Sequence, residues 1–193
     1  MANKKESTFV SMVLTLFLVT FIASAALGYL YELTKGPIAA SKLAKLNNAI
    51  TQVVPEFDNE PGEEVYKMGV DGDTLKFFPA RKNGELVGTA VSTFTNEGFS
   101  GYINLMVGFL PDGTIHNISV LEQKETPGLG DKMKKSKSDW SVQFNGKNPS
   151  NFMLKVTKDG GDVDAITAST ISSRAFSDAV ERAYKAYMEG GKK

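Results

Sequence analysis

Residues 7 to 31 carry no charged side chain, and this run limits the fold more than any other feature of the chain. Most of it is apolar: Phe9, Val10, Met12, Val13, Leu14, Leu16, Phe17, Leu18, Val19, Phe21, Ile22, then Ala23 to Tyr31. A helix rises about 1.5 Å per residue, so about 20 such residues cross a bilayer core. The run therefore predicts one transmembrane anchor. Ser11, Thr15, Thr20 and Ser24 are tolerable within it, because their hydroxyls can bond back to helix carbonyls. Tyr29 and Tyr31 suit an interfacial position. The rival is a cleaved signal peptide, with Lys4 and Lys5 as its basic start and Ala23-Ser24-Ala25 as its cleavage pattern. The apolar run continues past that point through Leu27, Leu30 and Leu33, which favours an anchor. A buried soluble helix fits worst, since no polar face interrupts the run. Lys4 and Lys5 face Lys35, Lys42 and Lys45 across the span, so counting basic residues does not set orientation. A short basic stub usually stays inside, which favours a single-pass protein of the inner membrane with its main domain on the extracytoplasmic, periplasmic side.

At 193 residues the chain has room for one ordinary domain beyond the anchor. The expected division is a tail and anchor over 1–35, an amphipathic helix and linker over 36–64, and a domain over 65–193. Gly36-Pro37 reads as a break. Leu43, Leu46, Ile50 and Val53 then recur at helical spacing, with Lys42, Lys45, Asn47 and Asn48 between them, until Pro55. Residues 56–64 are acidic, contain Pro61-Gly62, and read as a loop. Strand patterns follow at Glu85–Phe94, Tyr102–Phe109 and Ile115–Leu121, with turns at Lys82-Asn83-Gly84 and Pro111-Asp112-Gly113. A further short strand is expected at Phe152–Thr157. The last element is a helix that places Ile171, Ala175, Ala179, Ala183 and Tyr187 on one face, beside Phe176, Val180 and Tyr184, and ends at Gly190-Gly191. The fold class is α+β: a mostly antiparallel sheet with a helix before it and a helix after it.

Composition removes several function classes. Lys plus Arg equals Asp plus Glu at 22 each, so no net charge favours a nucleic-acid partner. Lys132, Lys134, Lys135 and Lys137 form a local cluster that reads as a solvated loop. The chain has no cysteine, which excludes disulfides, cysteine-ligated clusters and cysteine nucleophiles. His116 is the only histidine and follows a turn, so an exposed strand position is expected for it. It offers neither a zinc site nor a Ser–His–Asp triad.

Two segments carry chemistry. In the first, Asp164-Ala165-Ile166-Thr167-Ala168-Ser169-Thr170-Ile171-Ser172-Ser173, hydroxyls at Thr167, Ser169, Ser172 and Ser173 surround Thr170 at the start of the last helix. The first turn of a helix offers unpaired N–H groups and a partial positive charge, which suit a phosphate. Ordinary capping by Ser172 or Ser173 would use the same residue types. The residues alone point to an anion site at a helix start and go no further. In the second segment, Glu125-Thr126-Pro127-Gly128-Leu129-Gly130-Asp131, Pro127 fixes one dihedral and two glycines permit tight geometry. Such a loop can aim backbone groups at a planar ligand, or can be a plain surface turn.

Together the two segments resemble the FMN-binding family that includes the G subunit of the Rnf electron-transport complex. The C subunit of the sodium-pumping NADH:quinone reductase is similar but is usually a longer chain. In that family a Glu-Thr-Pro-Gly-Leu-Gly loop precedes an Asp-Ala-(Ile/Val)-(Ser/Thr)-Gly-Ala-Thr motif whose last threonine carries FMN through a phosphoester. The matching positions here are Glu125 to Gly130 and Asp164 to Thr170. The anchor, the Gly98-Phe99-Ser100-Gly101-Tyr102 turn, and Trp140 with Phe144 extend the resemblance over essentially the whole chain.

The resemblance implies that Thr170 holds FMN covalently, added by a flavin transferase. It implies that Thr167, Ser169, Ile171, Ser172 and Ser173 surround the phosphate, and that Glu125, Thr126, Gly128, Leu129 and Gly130 lie by the ring. Asp164 would serve the transferase or the loop. The chain would be a redox subunit of a translocase and not a stand-alone enzyme. In that complex reduced ferredoxin donates electrons, NAD accepts them, and ions cross the membrane through other subunits. A membrane-tethered assembly domain without flavin is the alternative from another class. One departure matters: the family has Gly-Ala where this chain has Ala168-Ser169, and alanine lacks glycine's freedom at positive φ.

Overall fold

The computed structural model describes residues 8–70 and 72–190. The expected basic start at Lys4 and Lys5, and Gly191 of the expected helix stop, lie outside these residues. Helix α1 spans Phe9–Val53, and five strands follow: β1 Tyr66–Val70, β2 Asp73–Lys82, β3 Glu85–Gly98, β4 Gly101–Phe109 and β5 Ile115–Gln123. Three short 3-10 turns, at Gly130–Met133, Trp140–Phe144 and Thr157–Asp159, lead to helix α2, Thr170–Gly190. The chain forms two compact units, Met1–Ala44 and Lys45–Lys193.

In the first unit the apolar side chains are uncovered. Phe9, Leu14, Leu16, Phe17, Leu27 and Leu30 are all more than half exposed. The core helix of a soluble protein would bury such residues. An uncovered apolar band of this kind fits a membrane-spanning segment, and α1 is long and apolar enough to cross a bilayer. Thr15 and Thr20 donate to the carbonyls of Ser11 and Leu16 at 2.8 and 2.9 Å, so these hydroxyls are satisfied inside the helix. The expected break at Gly36-Pro37 does not occur, since Pro37 lies within α1. Proline deprives one carbonyl of its partner. The residues after it, Ala39-Ala40-Ser41-Lys42-Leu43-Ala44-Lys45-Leu46, are strong helix formers except Ser41 and carry the helix on.

The second unit is built on an antiparallel meander in the order β1-β2-β3-β4-β5. Short turns join each strand to the next, which makes antiparallel neighbours the direct outcome. Asn83-Gly84, after Lys82 closes β2, and Pro111-Asp112-Gly113 sit between strands as expected. Alternation along β2 sends Leu75 and Phe77 to one face, and Phe78 and Ala80 to the other. Both faces are buried. Leu105, Val107 and Phe109 of β4 pack with Ala175, Phe176, Ala179, Val180, Ala183 and Tyr187 of α2. Met106 packs on the opposite face with Ala49, Ile50, Val53 and Val54. This two-sided burial explains why Leu105 to Phe109 reads as a continuous apolar run.

Polar contacts secure the end of α1 within this unit. The carbonyls of the last turn lack intrahelical partners. Asn117 donates to the carbonyl of Gln52 at 2.8 Å, and Nδ1 of His116 lies 3.0 Å from that of Val53. His116 is therefore half-buried on β5 instead of exposed. The Lys45 ammonium donates to the carbonyl of Leu121.

Two further expectations need correction. Phe152–Thr157 is not a strand: among the described residues its one sheet-like contact is an isolated parallel bridge between Val156 and Val163. Its alternating Leu154 and Val156 do reach the core, but turn bonds hold them, including Met153 N–H to Asp162 Oδ2 at 2.7 Å. Ile171 does not share the buried face of α2; it is 48% exposed. In the first turn Ser172 and Ser173 are the residues turned inward, and helical rotation leaves Ile171 facing out.

Candidate functional site

Three segments meet around a cleft of about 350 Å³. The tip of the β3–β4 hairpin contributes Phe99. The loop after β5 contributes Glu125, Thr126, Leu129 and Gly130. The start of α2 contributes Ala168, Ser169, Thr170, Ile171 and Ser172. A volume of this size lies within the range of small-molecule sites. The two chemistry-bearing segments, 39 residues apart at Glu125 and Asp164 in sequence, are thus brought together.

The loop owes its shape to a few bonds. Leu129 N–H donates to the Thr126 carbonyl at 3.1 Å, and Gly128 N–H to Asp131 Oδ1 at 2.7 Å. Gly128 has φ of 78°, which a glycine accepts without strain. A Cβ on Gly130 would lie 2.6 Å from Ser172 Oγ and 2.7 Å from Glu125 Oε2. Glycine is needed there for the loop to approach the helix.

Glu125 ties the three segments together. It is only 4% exposed. Its Oε1 accepts Ser100 N–H at 2.8 Å, from the hairpin tip. Its Oε2 accepts the hydroxyl of Ser172, in the first turn of α2. Its own N–H donates to the side chain of Gln123 at the end of β5.

The hydroxyls around Thr170 separate into two groups. Ser173 is fully buried; its Oγ donates to the Ser169 carbonyl at 3.0 Å and accepts Ile166 N–H at 2.9 Å. Ser172 is engaged by Glu125. Thr170 is half-buried, and its hydroxyl has no hydrogen bond among the described residues. Ser169 likewise makes no side-chain capping bond among them. The N–H groups of Thr170, Ile171 and Ser172 have no intrahelical acceptor, and no acidic residue lies in the first turn. This donor set fits a phosphate: backbone N–H groups, free hydroxyls and the positive end of the helix. Thr167, Ser173 and Gly128 do not line the cleft, whereas Phe99 and Ala168 do. Phe99 is 68% exposed at a hairpin tip, where alternation has nothing to say about its role.

The approach to α2 is held from outside the cleft. Trp140 Nε1 and Gln143 Nε2 donate to the Asp164 carbonyl, and Asp164 N–H donates to Gln143 Oε1 at 2.8 Å. Trp140 packs edge-on against Phe144 and Phe176. Arg174 grips Asp159 through two bonds of 2.7 Å, and this hydrogen-bonded guanidinium holds the Asp159 carboxyl below its usual range. Lys135 and Lys137 are exposed and Lys132 and Lys134 half-buried, with no ion pair for any of the four among the described residues.

Ala168 has φ of 61°, in the left-handed region. That conformation costs a residue with a Cβ about 1–2 kcal/mol. Gly at this position is expected to stabilise the domain by about 0.5–1 kcal/mol, after allowing for its freer unfolded chain. Thermal denaturation of Ala168→Gly should show a melting temperature higher by roughly 1–4 °C. A lower value would mean that the methyl group packs in a way the φ angle does not reveal.

The cleft has the size and lining to take a small molecule, and residues 98–185 match the family model described as the FMN-binding domain. Several curated proteins match over most of their length. One from Shewanella amazonensis is 35% identical, over 83% of this chain and 80% of its own. One from Aliivibrio fischeri is 35% identical, over 93% and 90%. One from Salmonella typhi is 36% identical, over 79% and 78%. Each is named as the G subunit of an ion-translocating oxidoreductase complex, and this chain belongs to that family.

Proposed function

We propose that this chain is the FMN-carrying electron-transfer subunit of a membrane-bound ion-translocating ferredoxin:NAD oxidoreductase, with FMN ester-linked through its phosphate to Thr170. The observation that carries the linkage is the sorting of hydroxyls. Ser172 and Ser173 are spent on internal bonds, while Thr170 offers a free hydroxyl in the cleft at the first position of α2. The relatives' common name supports membership of a multi-subunit complex.

The N–H groups of Thr170, Ile171 and Ser172, together with the Ser169 hydroxyl, would hold phosphate oxygens. Thr126, Leu129, Gly130 and Phe99 would enclose the ring. Bound FMN supplies the redox chemistry; the protein supplies position, shielding and charge. The covalent tether prevents loss of the cofactor and keeps it near partner subunits. Thr170 is an attachment point, and a flavin transferase makes the bond. Other subunits conduct the ion, since the span itself lacks charged residues. Helix α1 anchors the chain in the inner membrane, with the FMN domain on the periplasmic side.

Intact-mass spectrometry of the full chain, produced in membranes with a flavin transferase, tests the linkage. The expected mass exceeds that of the polypeptide by FMN less one water. A chain of unmodified mass would reject it. Protease added to sealed spheroplasts should digest the domain; protection would place it on the other side.

A further inference from the structure

We infer that Glu125 is a positioning residue for the cofactor, bracing the cleft through both carboxylate oxygens and setting the charge of its wall. The inference rests on the proposed flavin site and concerns a residue the resemblance would treat as a direct ligand. Both oxygens already have donors within the chain: Ser100 N–H on one and the Ser172 hydroxyl on the other. These donors sit on the hairpin tip and on the first turn of α2, and Glu125 itself sits on the loop between them in space. One side chain therefore sets the separation of all three walls.

Nothing neutralises this charge by direct pairing. Glu125 is 4% exposed and makes no salt bridge with Lys, Arg or His among the described residues. Its compensation comes from the two hydrogen bonds and from the N-terminal end of α2. A buried charge without a counter-ion acts on its surroundings with little screening. A negative wall disfavours the extra negative charge that reduction brings to a flavin. Glu125 thus lowers the tendency of the bound ring to accept electrons.

The experiment compares Glu125→Gln and Glu125→Ala in the flavinylated full chain, titrated with dithionite, which delivers two electrons per ring while one proton is taken up from water. Glutamine can still accept Ser100 N–H and can donate to Ser172 Oγ, so it keeps the brace and removes the charge. Glu125→Gln should raise the reduced-to-oxidised ratio at a fixed potential about tenfold, the size expected of one partly screened unit charge. Glu125→Ala should in addition lower the flavin's fluorescence anisotropy and speed hydrogen exchange at the Ser100 amide, with both restored in Glu125→Gln. An unchanged oxidised-to-reduced ratio in Glu125→Gln, or unchanged Ser100 exchange in Glu125→Ala, would overturn the inference while leaving the Thr170 linkage standing. Loss of the FMN mass in Glu125→Gln would make the residue part of attachment and overturn it too. Absence of flavin from the wild-type chain would reject the proposed function itself.

Discussion

Thr170→Ala is expected to abolish covalent flavin: no fluorescent band on a denaturing gel and no added mass. The effect should be all-or-none, because an ester needs the oxygen that the substitution removes. The fold should be unaffected. Thr170 is at the surface of the cleft, and its hydroxyl serves no bond among the described residues. Alanine is also at least as good a helix former as threonine. Thermal stability without flavin should therefore change by no more than about 0.5 kcal/mol. Thr170→Ser should keep part of the attachment, since the oxygen remains while the methyl group that restricts its rotamer is gone. Covalent flavin persisting in Thr170→Ala would move the acceptor to Ser169, whose hydroxyl also lines the cleft, or to Thr167.

Much of this site is legible in the sequence, for identifiable reasons. The hydroxyl-rich helix start and the Pro-Gly loop are local features, and local features survive translation into structure. Hairpin turns at Asn83-Gly84 and Asp112-Gly113 are legible because glycine at positive φ is demanded by tight turns; both glycines have that φ. Contacts between distant segments are not legible in this way. No spacing rule reveals that Glu125 meets Ser100 and Ser172, because the meander and α2 must first be folded. The hydroxyls look alike in sequence, and only the fold separates the committed Ser172 and Ser173 from Thr170. Pro37 misleads for a different reason: a local breaker is outvoted by the helix formers on its C-terminal side. Phe152–Thr157 has the alternation of a strand and buries Leu154 and Val156, yet it bridges Val163 instead of joining the sheet. Alternation reports burial, and pairing is a separate condition.

The packing that supports the site makes a second large prediction. Gly108→Ala is expected to destabilise the domain by about 3 kcal/mol, which for a unit of this size lowers the melting temperature by roughly 6–12 °C. A Cβ on Gly108 would lie 1.7 Å from the carbonyl oxygen of Val53 and 2.5 Å from its carbonyl carbon. Both are backbone atoms, so no side-chain rotation relieves the clash. The last turn of α1 would have to lift from β4 by more than an ångström. That movement would pull Val53 from His116 and Gln52 from Asn117, and open the cluster of Ile50, Val53, Val54 and Met106. Gly62→Ala is the matched control, because its nearest neighbour would be Asn47 Oδ1 at 3.9 Å and it should melt within about 2 °C of wild type. Circular dichroism of both variants in detergent measures the difference. Equal melting of the two would show that α1 can slide on the sheet without cost, and that its last turn is not a fixed part of the flavin domain.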